Sequence, residues 1–231
     1  MIGIICALAI EVEQLTELLE NKKEETYAKM KYISGTICGK EVVMTECGIG
    51  KVNAAMSTQV MIDKYNVDVV INSGIAGSVS RDLKIGDIVI SKDCVQHDFD
   101  GTQMGDPKGL IQYNDEKRIE IPADKSTAQK LMQACKGIEN TNVMLGTIAT
   151  GDIFVADKAL RQSIADEFSA LACEMEGGAV AQVCYRNEVK FAILRCISDD
   201  FDENEFLDFM EFRVLAADKS IAAIKNFLQL L

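Results

Sequence analysis

Short runs of β-branched and aliphatic residues alternate along this chain with longer stretches whose apolar residues recur at helical spacing, which limits its fold more than any other feature. Repeated run, amphipathic stretch, run is the pattern of parallel strands crossed by helices, so the expected class is α/β: a single domain with a mixed central β-sheet flanked by helices. Strands are predicted over residues 2–7, 41–46, 67–72, 87–91, 142–148 and 190–197, with 27–37 as an additional alternating partner. Helices are predicted over 10–19, 51–65, 124–137, 158–167, 177–187 and 207–230. Both prolines, Pro107 and Pro122, fall in the one long aperiodic stretch, 97–122, which is expected to be a loop. No repeat, low-complexity tract or Gly/Ser/Pro-rich linker divides residues 1–231, so they read as one domain.

Composition excludes several function classes. Lys plus Arg is 24 against 36 for Asp plus Glu, a net charge of −12 with no local basic patch, so nucleic acid is not an expected partner. No apolar run reaches the roughly 20 residues that span a bilayer, and the first residues, Met1 to Ile5, carry no basic leader. A cytoplasmic protein without a membrane partner is the expectation. The eight cysteines are widely spaced with no Cys-x-x-Cys pair, which suits reduced, mostly buried thiols. His97 is the sole histidine, so a multi-His metal cluster is excluded, a Cys-only one lacks its spacing, and neither metal nor cofactor is expected. A Ser-His-Asp triad would have to run through His97, with no serine elbow elsewhere.

Ligands of open α/β sheets collect beyond the carboxyl ends of strands, and four such places carry chemistry. In Ala7-Leu8-Ala9-Ile10-Glu11, Glu11 falls in the first turn of a helix. It is either a general base for a water or a helix-start acid that offsets the macrodipole, the role that suits Glu13 better. Two glycine-rich segments, Cys47 to Lys51 and Ser73 to Ser78, read as turns after strands that bring backbone amides close to a ligand or simply turn tightly. Neither completes a dinucleotide fingerprint or a P-loop. In Glu174-Met175-Glu176-Gly177-Gly178, a short strand over 170–176 would send both glutamates to one side. A carboxylate there could accept two hydrogen bonds from a ribose diol, or Glu176 starts the next helix while Met175 fills the core. Arg195-Cys196-Ile197-Ser198-Asp199-Asp200 ends a strongly hydrophobic strand, where an aspartate held protonated could donate to a leaving base, or the polar residues cap the next helix.

Taken together, these segments resemble the nucleoside phosphorylase and nucleosidase superfamily and, within it, the 5'-methylthioadenosine/S-adenosylhomocysteine nucleosidases. The resemblance spans nearly the whole chain. It rests on Ile4 to Ala7 followed by Glu11, on Gly48-Ile49-Gly50-Lys51-Val52-Asn53-Ala54-Ala55 and on Asn72 to Gly77. Leu83 to Ile90, Thr150-Gly151-Asp152-Ile153-Phe154-Val155, Glu174-Met175-Glu176 and Arg195 to Asp199 agree with it. It implies a nucleoside phosphorylase-like fold and cleavage of the N-glycosidic bond of 5'-methylthioadenosine and S-adenosylhomocysteine in methionine salvage. It implies that Glu11 activates water and Asp199 serves N7 of adenine, while Met175 and Glu176 hold the ribose, with Ile75, Ala76 and Gly77 beside it. Phe154 would stack on the base, the Val155 backbone read its edge, Arg195 and Ser198 support the water and Asp199, and Phe209 close the 5' side. It also implies a homodimer in which 104–113 reaches the neighbour's site. The chain departs from the pattern at Ile75, where many relatives carry a serine near the water, and at Leu8, where methionine is frequent.

Within that superfamily the attacking group is water or phosphate, and phosphate requires cationic partners, arginine above all. The first arginine of this chain is Arg81, whereas related phosphorylases carry arginine after the first strand and before the turn matching Gly74. Glu11 at the first of those places repels phosphate and suits water. Hydrolysis of a small purine nucleoside is therefore expected. The alternatives are a futalosine-type hydrolase, a purine nucleoside phosphorylase and a catalytically silent nucleoside-binding protein.

Overall fold

The structure is a computed structural model that describes residues 1–114, 116–199, 201 and 205–231, and only the backbone of 205–211. Its strands are β1 (Ile2–Cys6), β2 (Glu20–Tyr27), β3 (Met30–Ile37), β4 (Lys40–Glu46), β5 (Val69–Ser78), β6 (Ile88–Gln96), β7 (Ile111–Tyr113), β8 (Glu116–Arg118), β9 (Ile121–Pro122), β10 (Val143–Thr150), β11 (Ala170–Glu174) and β12 (Lys190–Asp199). The helices are α1 (Ala9–Glu17), α2 (Lys51–Tyr65), α3 (Lys125–Ala134), α4 (Lys158–Phe168), α5 (Gly177–Arg186) and α6 (Glu205–Leu230). Among the described residues, a ten-stranded mixed sheet runs β11-β10-β6-β12-β5-β1-β4-β3-β2, with β9 on β6 and a further pairing of β11 with β5. That last pairing closes β5, β12, β6, β10 and β11 into a ring.

Period-two alternation places successive side chains on opposite faces and builds a core on each. Ile4, Ile71, Leu194 and Cys196 pack with Leu15 of α1, Leu131 of α3 and Ile224 and Phe227 of α6. Their neighbours Ile5, Val70, Ile193 and Ile197 pack on the other face with Ala54 and Met61 of α2 and Val180 of α5. The central strands, apolar on both faces, read as near-continuous hydrophobic runs for this reason.

Four expectations are corrected. The predicted 27–37 partner is the second half of a hairpin, because β2, Glu-Asn-Lys-Lys-Glu-Glu-Thr-Tyr, is almost wholly exposed and carries no apolar alternation to betray it. Residues 97–122 are not one loop: they hold a 3-10 turn at Thr102–Met104 and the short strands β7, β8 and β9. Ser73 to Ser78 is not a turn after a strand. β5 runs straight through it, with Gly74, Ile75, Ala76 and Gly77 paired to Arg195, Cys196, Ile197 and Asp199 of β12. The predicted strand over 170–176 ends at Glu174, and Glu176 becomes the N-cap of α5.

Candidate active site

A cavity of about 270 Å³ opens where β1, β5, β11 and β12 end, walled also by the segment before α4. Every predicted site residue except Phe209 lines it: Glu11, Ile75, Ala76, Gly77, Phe154, Val155, Met175, Glu176, Arg195, Ser198 and Asp199. The side chain of Phe209 lies outside the described residues, as does Asp200.

Glu11 occupies the third position of α1, and its Oε2 accepts the backbone N–H groups of Ala7 and Leu8, each at 3.0 Å. It caps the helix while its carboxylate lines the cavity. It is 2% exposed. Burial pushes its carboxyl upward, against the lowering by Arg195 and by backbone N–H groups including that of Ile75. Ile75 thus contributes through its main chain, which leaves its apolar side chain free of any polar duty at this acid.

Across β5, Arg195 is 1% exposed and draws together the other acids. Its Nη2 donates to Asn72 Oδ1 at 2.6 Å and pairs with Glu174, while Glu176 Oε2 stands at 3.7 Å. Its Nε–H is buried without a hydrogen-bond partner among the described residues. Glu174 is consumed structurally, taking the hydroxyl of Thr150 and the N–H groups of Glu176 at 3.0 Å and Gly177 at 2.7 Å. Glu176 is left freer, accepting the Gly50 N–H at 2.9 Å from the loop before α2. Burial first, and then the neighbouring Glu174, push Glu176 up to about 7 against the opposing pull of Arg195. Gly50 therefore serves the site by delivering a backbone donor to this carboxylate.

At the far end, Ser198 donates to Asp199 Oδ1 at 2.7 Å, and Arg161 pairs with Asp199 Oδ2. β12 shifts register between Ile197 and Asp199, so the strand that sends Arg195 to one carboxylate cluster re-aims Asp199 at the other end of the cavity. Two glycines of β5 make room. A Cβ on Gly74 would stand 2.9 Å from Glu11 Oε1 and 3.2 Å from Arg195 Nη1, and one on Gly77 would stand 2.6 Å from Asp199 Oδ2. Gly74 and Gly77 are three residues apart, about 10 Å along a strand. Each of these glycines thus makes room on β5 for a buried acid from another element.

Val155 is buried and half-exposed Phe154 stands at the rim, 48% accessible, with Ile153 beside it. Sequence reasoning missed Arg161, Glu174 as a tether, Asn72 and Thr150. The first lies in an amphipathic helix, where one arginine looks like any exposed cation, and no local pattern announces that it is buried.

Glu176 also makes a stability prediction. Its folded value of about 7 exceeds the ordinary 4.5, so folding takes up a proton between them. The stability gained is present below 4.5 and lost as pH rises through about 7, and Glu11 acts with the same sign. The melting temperature of the ligand-free protein is expected to fall from about pH 5 to about pH 8, and Glu176→Gln to flatten that decline. Melts across the range check this, and an unchanged slope in the variant refutes it.

The phosphorylase superfamily model matches residues 1–229. A 5'-methylthioadenosine/S-adenosylhomocysteine nucleosidase from Shewanella sediminis (strain HAW-EB3) is 38% identical over 229 residues, covering 99% of this chain and 98% of its own. Among solved structures, the nucleosidase of the same name from Neisseria meningitidis in complex with methylthio-immucillin-A superimposes with a TM-score of 0.94 at 33% identity, covering 100% of this chain and 99% of that one. The futalosine hydrolase of Helicobacter pylori strain 26695 superimposes with a TM-score of 0.92 at 32% identity, covering 100% and 97%.

Proposed function

Because the chain belongs to the phosphorylase superfamily, among its 5'-methylthioadenosine/S-adenosylhomocysteine nucleosidases, we propose that it hydrolyses the N-glycosidic bond of those two nucleosides. The products are adenine and the 5'-thioribose. The observation that carries water as the attacking group is the charge balance at the Glu11 end of the cavity. Three buried carboxylates, Glu11, Glu174 and Glu176, surround one guanidinium, Arg195, which Glu174 already neutralises. A phosphate dianion there would meet net negative charge, whereas a water finds a carboxylate to take its proton.

In the mechanism, Glu176 accepts the ribose hydroxyls, Met175 packs against the sugar with Ile75, Ala76 and Gly77 beside it, and Phe154 stacks on the base. The Val155 main chain reads the edge of the adenine. As the C1'–N9 bond breaks, its electron pair passes into the purine and N7 takes the proton of Asp199, which Ser198 orients. Water bonds to C1' of the oxocarbenium-like sugar and gives its proton to Glu11, with Arg195 supporting the water. One proton leaves Asp199 and one arrives at Glu11, so the enzyme recovers its starting state by exchange with solvent. Burial, which pushes Glu11 upward, makes its carboxylate a stronger base than an exposed one.

The nucleosidase unit proposed is the whole of residues 1–231, acting as a cytoplasmic homodimer in methionine salvage. Eight free cysteines, all but Cys38 buried, suit a reducing compartment. Exposed Ile49, Val52 and Met56, at and before the start of α2, offer an apolar face to a second copy, and 104–113 would reach that copy's cavity.

The test is a substrate panel in phosphate-free buffer, with products separated by chromatography. Adenine and free 5'-methylthioribose are expected from 5'-methylthioadenosine, and added phosphate should neither raise the rate nor yield a ribose 1-phosphate. A phosphate requirement would overturn hydrolysis. Turnover of futalosine in preference to both thioethers would overturn the substrate.

A further inference from the structure

A single buried guanidinium ties together the base end of the cavity. Arg161 is near the start of α4 and is 1% exposed. Its Nε donates to the Val155 carbonyl at 3.2 Å, its Nη1 to the Ser78 carbonyl at 3.0 Å, and its Nη2 pairs with Asp199 Oδ2. These acceptors belong to three separate segments: the approach to α4, the end of β5 and the end of β12. Burying an arginine is costly, and a well-packed apolar side chain of similar volume often stabilises a fold equally well. An apolar side chain cannot aim a carbonyl, nor answer charge on a carboxylate.

We infer that Arg161 is a positioning residue for departure of the base. It fixes the Val155 main chain and Asp199 relative to each other, and it stabilises the carboxylate that Asp199 becomes when its proton passes to N7. The inference rests on the role proposed above for Asp199. It requires no proton from Arg161. The glycosidic electron pair enters the purine, the Asp199 proton neutralises N7, and the negative charge left on Asp199 appears beside a cation already in place. The carbonyl of Val155 has two lone pairs, so holding one with Arg161 leaves the other for an amino group of the base. Lysine supplies the charge as a point but not the planar fork that reaches three segments at once.

The experiment compares two leaving groups in Arg161→Met and Arg161→Lys: adenine from 5'-methylthioadenosine, and 4-nitrophenolate from the 4-nitrophenyl riboside with the same 5'-methylthio group, which departs without a proton. Arg161→Met is expected to lower kcat for adenine release by roughly 10²-fold and for nitrophenolate release by less than about fivefold, with Arg161→Lys between it and wild type. In an Asp199→Asn background the same change should cost less than about threefold, because its partner in the effect is already gone. Should Arg161→Met fail to fold, Arg161→Lys carries the comparison alone. Equal losses on both leaving groups, or no loss on adenine, would overturn the role of Arg161. Wild-type protein that releases no adenine would instead overturn the proposed function.

Discussion

Asp199→Asn is expected to slow adenine release by roughly 10³-fold while leaving nucleoside binding measurable. Adenine departs poorly as an anion, and the proton at N7 removes that charge as the bond breaks. An asparagine amide can hydrogen-bond to N7 but cannot deliver a proton to it. The substitution keeps an oxygen for Arg161, and its amide can donate to the Ser198 hydroxyl instead of accepting from it, so the pocket retains its shape. Calorimetric binding of the intact nucleoside separates lost chemistry from lost binding. Binding near the wild-type affinity with turnover near wild type would remove Asp199 from the chemistry. Folded protein that neither binds nor turns over would make it a structural residue.

The sequence disclosed the layered fold because its central strands are apolar on both faces and its helices keep their period. α2 matches the expected 51–65 to the residue, since Gly50 with φ 100° and Asn66 in the left-handed region at φ 48° punctuate it at both ends. What failed was whatever lacked a periodic apolar signal. β2 is a strand by virtue of pairing with β3, and no residue in it is buried. Ser73 to Ser78 reads as a turn because glycine usually marks one, yet here Gly74 and Gly77 sit inside a strand to admit Glu11 and Asp199 from other elements. Local composition names the glycines correctly and the turn wrongly. The close approach is made by residues more than 60 positions away in sequence on one side and 120 on the other.

The candidate acids were legible one at a time as strand-end carboxylates, each with a bland reading beside the chemical one. The structure shows that the two readings need not compete. Glu11 caps α1 through Oε2 and lines the cavity at the same time, and Glu176 both starts α5 and receives Gly50. The arginine partner of Asp199 was not legible, because a buried arginine and an exposed one have the same sequence context on an amphipathic helix. Arg195 stood out by its place in an apolar strand, and Arg161 had no such contrast.

Glu11→Gln is expected to lower hydrolysis by roughly 10²- to 10⁴-fold and to leave the protein no less stable. The amide oxygen can still take the N–H groups of Ala7 and Leu8, now at 3.0 Å from Oε2, so the first turn of α1 keeps its cap. The amide cannot accept the proton of an attacking water. In wild type the carboxylate is desolvated, which pushes its proton affinity up and means that holding it ionised opposes folding. Above its raised titration point the neutral amide removes that cost, so the melting temperature of the variant should equal or exceed that of wild type at pH 8. Below it, where wild-type Glu11 is itself neutral, the difference should close. Loss of activity joined to unchanged or higher stability is what separates a base held against its own solvation from a carboxylate kept for capping, whose removal would destabilise α1. Turnover near wild type in a folded variant would withdraw the base from Glu11, and a fall in melting temperature at pH 8 would return it to the cap.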